Sequence, residues 1–397
     1  MNYRLGYLSG APRVSTNPYA ELAGAKTHVL GIITAFEALG WDVKPYIVGD
    51  KVPREWVTKG SERAVSTSFF RTLTVDLIRL TVSAVYSRKA WQELRGQVDW
   101  VYERCGTFQA MGRKFKYNGV PWILETNALL YEEAKLERKS LILDRLARRV
   151  EIRAYQECDV LVCISNNLKQ RLIEETGISE KKILAIPNGV NTEYINPDSH
   201  SPKRLFPRFT IGFVGSLYAW AGIDFLLQAL HELRLEGFDL SLVIIGDGQM
   251  RAAWEDRSQQ LDLSDNVKFL GLLPQSELLP ILAGCDVGYS GHLDLQERQV
   301  YRSPLKLYEY MAMAKPVVAS DIEDTRATID EGKTGFLFAP NDRDSLKQAL
   351  KKAFTARNRL REMGAKARQE IELNHSWTNR VRVLIEESNR ILQAKKA

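Results

Sequence analysis

No stretch of this sequence approaches the roughly 20 apolar residues that a membrane-spanning helix needs. Its opening, MNYRLGYLSG, lacks the long apolar core of a secretory signal. The expected protein is therefore soluble, or at most peripheral to a membrane. The four cysteines, Cys105, Cys158, Cys163 and Cys285, include no CxxC pair, which argues against a zinc site. Three of them precede or sit within apolar runs (ECDVLVCIS, GCDVGYS), and all four read as reduced, mostly buried thiols of a cytosolic protein. Zinc-finger spacing and an aromatic-rich basic strand pair are also missing, and the basic residues are scattered, so nucleic acid is not an expected partner. A complete GxGxxG is absent too. VIIGDGQMR carries Gly246 and Gly248, but Arg251 stands at the third glycine position, which argues against a dinucleotide oxidoreductase.

What is present is ordinary globular composition in a long chain. The 397 residues are 45% apolar and 26% charged, which suits about two domains. The net charge of +6 fits a phosphate-bearing ligand or an anionic membrane surface.

Short β-rich runs alternate with helical runs from end to end. The first half reads RLGYLS, VKPYIVG, DWVYERC, PWILET, VLVCIS and ILAIP, with helical patterns over 25–39, roughly 69–95 and 137–156. The second half reads FTIGFVG, LSLVIIG, NVKFLG, DVGYS, PVVAS and TGFLFA. Between its first two strands Ile223, Leu226, Leu227, Leu230 and Leu233 recur at helical spacing. Such alternation predicts an α/β fold: two doubly wound, Rossmann-like domains with parallel sheets, facing each other across a cleft. The seam falls in the proline-bearing, aperiodic stretch 190–208. It divides the chain into 1–197 and 198–375, with a last helix, 376–397, expected to pack back on the first domain.

In such sheets ligands bind at the carboxyl ends of strands, so the candidate residues are those that follow strands. Gly215 and Ser216 form a turn between strand FTIGFV and a helix, either an ordinary strand-to-helix turn or a place where backbone comes close to an anion. In RSPLKLYEYMAMAKPVVAS, Ser303 reads as an N-cap and Pro304 as the first helical residue. Lys306 then falls in the first turn, where the helix dipole disfavours a cation unless an anion lies beside it. Glu309 follows one turn later and could hold two neighbouring ribose hydroxyls. The bland alternative is a solvated Lys/Glu pair. In the first half Gly24 opens a helix carrying His28, which reads first as a packed residue and second as a polar contact. Arg104 ends one strand, and Glu125 and Asn127 end another.

Taken in order, these segments resemble the retaining glycosyltransferases of family four, which have the GT-B fold. The match includes GAKTHV, IPNGVN, FVGSLYAWAGIDFLLQAL, IIGDGQ, VKFLGLLP, CDVGYS, SPLKLYEYMAMAKPVVAS, GKTGFLF and HSW, and it spans nearly the whole chain. The resemblance implies transfer of a hexose from a UDP-sugar, by family analogy UDP-glucose, to an acceptor in polysaccharide or glycoconjugate assembly. It implies no metal. Gly24, Gly215, Ser216, Gly246 and Gly248 would face the donor diphosphate. Leu270 and Leu272 would line the base. Arg302, Ser303, Pro304, Leu305 and Lys306 would meet the sugar and phosphates, and Glu309 the ribose. Lys306, Glu309 and Asn127 would carry catalysis, with Arg13, Glu125 and Asn127 toward a saccharide or lipid-linked acceptor. Asn127 falls where many relatives place a histidine. The family's basic pair is replaced by Ser216 and Ala221, its first paired glutamate by Tyr301, and a later glutamate by Ala327.

Asp342-Arg343-Asp344 imitates a metal-binding Asp-x-Asp, but helix capping explains it. Basic, apolar-bearing helical stretches at 69–96 and 134–153 are either ordinary amphipathic helices or a docking face for an anionic membrane. The expected location is cytoplasmic, with contact at the inner face of the plasma membrane left open. Two other functions fit the same pattern: a non-catalytic subunit that binds a nucleotide sugar, and a nucleotide-sugar epimerase.

Overall fold

The structure, a computed structural model, describes residues 3–17, 24–53, 69–137, 140–293 and 303–395. It divides into two units, the first Met1–Pro187 with Trp377–Ala397, the second Asn188–Ser376.

Unit 1 runs β1 (Arg4–Ser9), α1 (Gly24–Ala38), β2 (Asp42–Ile47), α2 (Phe69–Leu94), β3 (Trp100–Arg104), β4 (Trp122–Thr126), α3 (Asp144–Glu157), β5 (Val160–Cys163), α4 (Asn166–Thr176) and β6 (Ile183–Ala185). Its strands form a parallel sheet in the order β2-β1-β3-β4-β5-β6. The inner strands are buried on both faces, which is why VLVC and WILET read as continuous rather than alternating runs. α4 shows how local chemistry sets the ends. The Ser165 side chain accepts the Leu168 N–H at the start, and Gly177 closes the helix at φ +65°.

Unit 2 runs β7 (Phe209–Val214), α5 (Ile223–Leu235), β8 (Leu240–Ile245), α6 (Arg251–Gln260), β9 (Val267–Phe269), α7 (Gln275–Gly284), β10 (Val287–Ser290), α8 (Leu305–Ala312), β11 (Val317–Ser320), α9 (Glu323–Thr328), β12 (Gly335–Phe338), α10 (Arg343–Thr355) and α11 (Leu360–Asn374). The parallel sheet order is β12-β11-β10-β7-β8-β9. Leu226, Leu227, Leu230 and Leu233 of α5 are fully buried in its core, each contributing about 1.5–3 kcal/mol by area. All twelve strand runs predicted from the sequence are strands.

α12 (Trp377–Ala394) returns to unit 1. Trp377 lies where a side chain at Gly31 of α1 would stand, with a would-be Cβ only 2.2 Å from its ring nitrogen. The seam differs from the expected one: residues 188–197 belong to unit 2. Backbone N–H of Val190 bonds to His375 O at 3.0 Å, and the Arg368 guanidinium donates to the carbonyls of Thr192 and Ile195. These long-range bonds tie an aperiodic segment to the unit that follows it.

Candidate functional site

Each sheet reverses its strand order once. In unit 2 the reversal lies between β7 and β10, and in unit 1 between β1 and β3. The carboxyl ends at such switch points leave a crevice for ligands.

In unit 2, β7 ends into Gly215. Its N–H bonds to Ile245 O at 3.0 Å, and its φ is +153°. A Cβ there would lie 3.5 Å from Phe213 and 3.9 Å from the Lys306 ammonium, so the lysine projects over this turn from α8. Lys306 is nearly buried. Its Nζ lies 4.4 Å from the Phe213 ring centroid and 5.3 Å from that of Trp220, a cation–π seat. Trp220 in turn stacks on His292, just past β10, at 5.3 Å and 10°. Glu309, one turn on, is half-buried. Burial pushes its carboxyl up to about 7, against the pull of Lys306.

The structure adds a packing requirement at Gly246 and Gly248 and corrects the capping reading of Ser303. Gly246 and Gly248 are accounted for by contact between neighbouring loops. A Cβ on Gly246 would lie 1.9 Å from Gly215 O, and one on Gly248 2.4 Å from Leu217 O. They let the β7 and β8 loops pack against each other. Ser303 is not the N-cap of α8; Pro304 occupies that position without a side-chain cap bond. The Ser303 hydroxyl instead accepts the Asn188 N–H at 2.9 Å and meets Tyr308 Oη at 3.1 Å. Tyr308 donates to the buried Asp324. Lys306 still falls in the first turn, two residues after Pro304. Leu305 begins the helix. Leu270 is partly buried and its N–H bonds to Ile244 O at 2.9 Å, while Leu272 is exposed. Arg302, like Tyr301, lies outside the described residues.

In unit 1 the expected residues meet a group that sequence reasoning missed. The Gln109 side chain occupies the space over both Gly10, after β1, and Gly106, after β3. Arg104 ends β3 opposite Ser9 of β1 and Glu125 of β4 in register. Ser9 Oγ, Arg104 Nε, Gln109 Oε1 and Asn127 Oδ1 are all buried without a hydrogen-bond partner, a costly state that a polar ligand would relieve. Glu125 is buried. Its Oε1 lies 2.7 Å from His28 Nε2. Burial pushes this carboxyl up, but His28, Arg104 and the Tyr102 hydroxyl outweigh that and hold it below its ordinary value. His28 also meets Trp377 edge-on at 5.1 Å, so it combines both of its readings, packed and polar. Gly24 is the exposed first residue of α1. Arg13 is exposed in the loop after β1. Three hydrogen bonds to the Asp50 carboxylate, from Ser15 and Thr16, anchor that loop.

Asp342 is a cap: its side chain accepts the Ser345 N–H at 2.9 Å at the head of α10. Among the described residues no group of three or more His, Cys, Asp or Glu is placed to hold a metal ion. The four cysteines are free and buried.

Two family models match the chain. Residues 22–194 match Glycosyltransferase Family 4, and residues 208–356 match Glycosyl transferases group 1. A GDP-mannose-dependent alpha-(1-6)-phosphatidylinositol monomannoside mannosyltransferase of Mycolicibacterium smegmatis is 26% identical over 59% of this chain and 63% of its own. The chain spans about half the length of the curated relatives it matches, 58%, 42% and 54% in three cases. Among solved structures, sucrose-phosphate synthase of Thermosynechococcus elongatus superposes with a TM-score of 0.71 at 15% identity, covering 99% of this chain and 100% of that one. Anabaena HepE in complex with UDP superposes at 0.62 and 15%, covering 100% of both. At these identities the likeness establishes the fold, the GT-B class with two Rossmann-like units.

Proposed function

The chain belongs to the group 1 glycosyltransferases of family four, and we propose that it moves a hexose from a uridine diphosphate sugar to a hydroxyl acceptor with retention of configuration. The observation that carries this is the placement of Lys306 over the Gly215 turn at the switch point of unit 2, with Glu309 one turn away. The diphosphate lies against Gly215, Ser216 and the start of α8, where free N–H groups and the ammonium converge. Glu309 accepts the two ribose hydroxyls, and the exposed Leu272 lies against the base. Uridine is chosen by analogy with HepE, which was solved with UDP.

Breaking the bond between the anomeric carbon and the phosphate oxygen leaves its electron pair on the diphosphate. Lys306 and the α8 N–H groups stabilise that charge, preorganised electrostatics of the kind that supplies the largest catalytic term. The acceptor oxygen bonds to the anomeric carbon on the same face, and its proton passes to the departing phosphate oxygen. Because Lys306 supplies the positive charge, the step runs without a metal. The acceptor's polar groups meet Ser9, Arg104, Gln109 and Asn127 of unit 1, whose unpartnered buried atoms match a hydroxyl-rich molecule.

Calorimetric titration with UDP, GDP, ADP and UDP-glucose, with and without a chelator, tests the reading. One uridine ligand should bind regardless of chelator, and Lys306→Ala should weaken it by roughly 10- to 150-fold, the range for a hydrogen bond to a charged group. Unchanged affinity in Lys306→Ala, or no binding of any nucleotide, sinks the assignment.

A further inference from the structure

Helix α2 carries an exposed face that no described residue of unit 1 covers. Phe70, Leu77, Ile78 and Val85 are 77%, 52%, 45% and 43% exposed, and exposed Thr74 and Thr81 fall between them. Their spacing of three, four and seven places all six on one face. Exposed Arg71, Arg88 and Lys89 flank this stripe. The acids of the helix are elsewhere: Asp76 is fully buried, and Glu93 is paired with Lys51 at 3.1 Å. A long uncharged stripe with four exposed large apolar side chains, whose flanking charges are cations, is not what a solvated helix face needs.

α3 adjoins it. The Asp76 carboxylate of α2 accepts the N–H groups of Ile142 and Leu143 at the head of α3, and Leu80 and Leu143 pack against the cluster of Phe108, Ala134, Leu141 and Ala147. α3 exposes Arg145, Arg148, Arg149 and Arg153 around a depression of about 610 Å³. Arg148 and Arg153 have acidic neighbours, Glu175 and Glu157. Arg145 shares a second depression with Glu132 and Asp144, but neither it nor Arg149 forms an ion pair among the described residues.

We propose that unit 1 docks on an anionic phospholipid bilayer through these two helices. The uncharged stripe of α2 enters the boundary between headgroups and acyl chains, and Arg145 and Arg149 pair with lipid phosphates. Charge complementarity selects this occupant: Arg71, Arg88 and Lys89 flank the stripe and α3 exposes four arginines, of which Arg148 and Arg153 are ion-paired, an excess of cations that suits anionic lipid and would repel a second copy of the same face. The inference goes beyond the nucleotide reading and does not rest on it.

The test is co-sedimentation of the full chain with vesicles of phosphatidylcholine alone and of phosphatidylcholine mixed with phosphatidylglycerol. The chain should bind the mixed vesicles, weakly or not at all the neutral ones, and release as salt rises. Arg145→Gln with Arg149→Gln should weaken binding on the order of tenfold, and Phe70→Ser with Leu77→Ser and Ile78→Ser should abolish it. All five side chains changed are exposed, so the variants should melt like the parent, and melting curves check that they fold. Three outcomes overturn the proposal: equal binding to both vesicles, parent-like binding by the apolar variant, or a dimer in light scattering that the apolar variant disrupts.

Discussion

Glu309 is the residue whose chemistry makes the sharpest claim. An ionised carboxylate accepts hydrogen bonds from both hydroxyls of a ribose, while a protonated one keeps a donor where it needs an acceptor. Burial sets this group at about 7 before ligand arrives. Binding through ribose hydroxyls favours the charged form and lowers that value. Affinity for UDP-glucose should therefore rise as pH increases through 7 and level off above it, with proton release on binding below 7. UDP-glucose is the ligand to use, because a terminal phosphate titrates near 6 and would add its own slope. Titrations between pH 6 and 8 check this, and Glu309→Gln should flatten the profile. A slope that survives in Glu309→Gln would move the titrating group elsewhere. The same scale shows where sequence reading ran out. Ser303 before Pro304 is a strong local capping signal, yet its hydroxyl is occupied by Asn188, 115 positions away. Gly246 reads like a ligand-facing glycine, and the sequence does not show that Gly215 O also requires it. Local patterns cannot announce a distant partner.

At the scale of elements, unit 1 repeats one device. Asp76 accepts the N–H groups of Ile142 and Leu143, Glu103 those of Met111 and Gly112, and Glu151 those of Leu130 and Tyr131. Each pair lies at the head of a helical segment, where N–H groups have no partner of their own and negative charge is favoured. Buried carboxylates thus cap helices from outside, in place of the Ser or Asp that a local cap would use. The helical periods were legible; these caps were not, because the acids lie in other elements. Asp76→Ala would leave two donors at the head of α3 and the Arg79 guanidinium at 3.1 Å without their acceptor. We expect a loss on the order of 3 kcal/mol in denaturant unfolding, with an unchanged slope. A loss below about 1 kcal/mol would mean that water takes over the cap at little cost.

At the scale of the whole molecule, the strand–helix alternation carried the fold: two parallel sheets follow from the order of apolar runs, while the two switch points come from the strand orders of the structure. The sequence reading returns the last helix to the first domain but sets the seam after residue 197, beyond the Pro187 of the structure. The chain leaves unit 1 at Pro187 and returns at Trp377, and α12 then lies along α1 through a slot that exists only because residue 31 is glycine. Trp377 is 5% exposed, and Val381, Leu384 and Ser388 follow it into the interior. Unit 1 therefore depends on a helix that its first 187 residues do not contain. Trp377→Ala should cost unit 1 about 3–5 kcal/mol, the usual penalty for emptying a buried indole site. Because Gly31 has no side chain to refill the slot, relaxation there is limited. Hydrogen exchange resolves where the loss falls. Amides of α1 from Val29 to Phe36 should lose protection, while those of β7 and β8, whose core is built from residues of unit 2, should keep theirs. Equal loss in both sheets would show that the units unfold as one cooperative body, and protection retained in α1 would mean that the remainder of α12 holds the helix without its tryptophan.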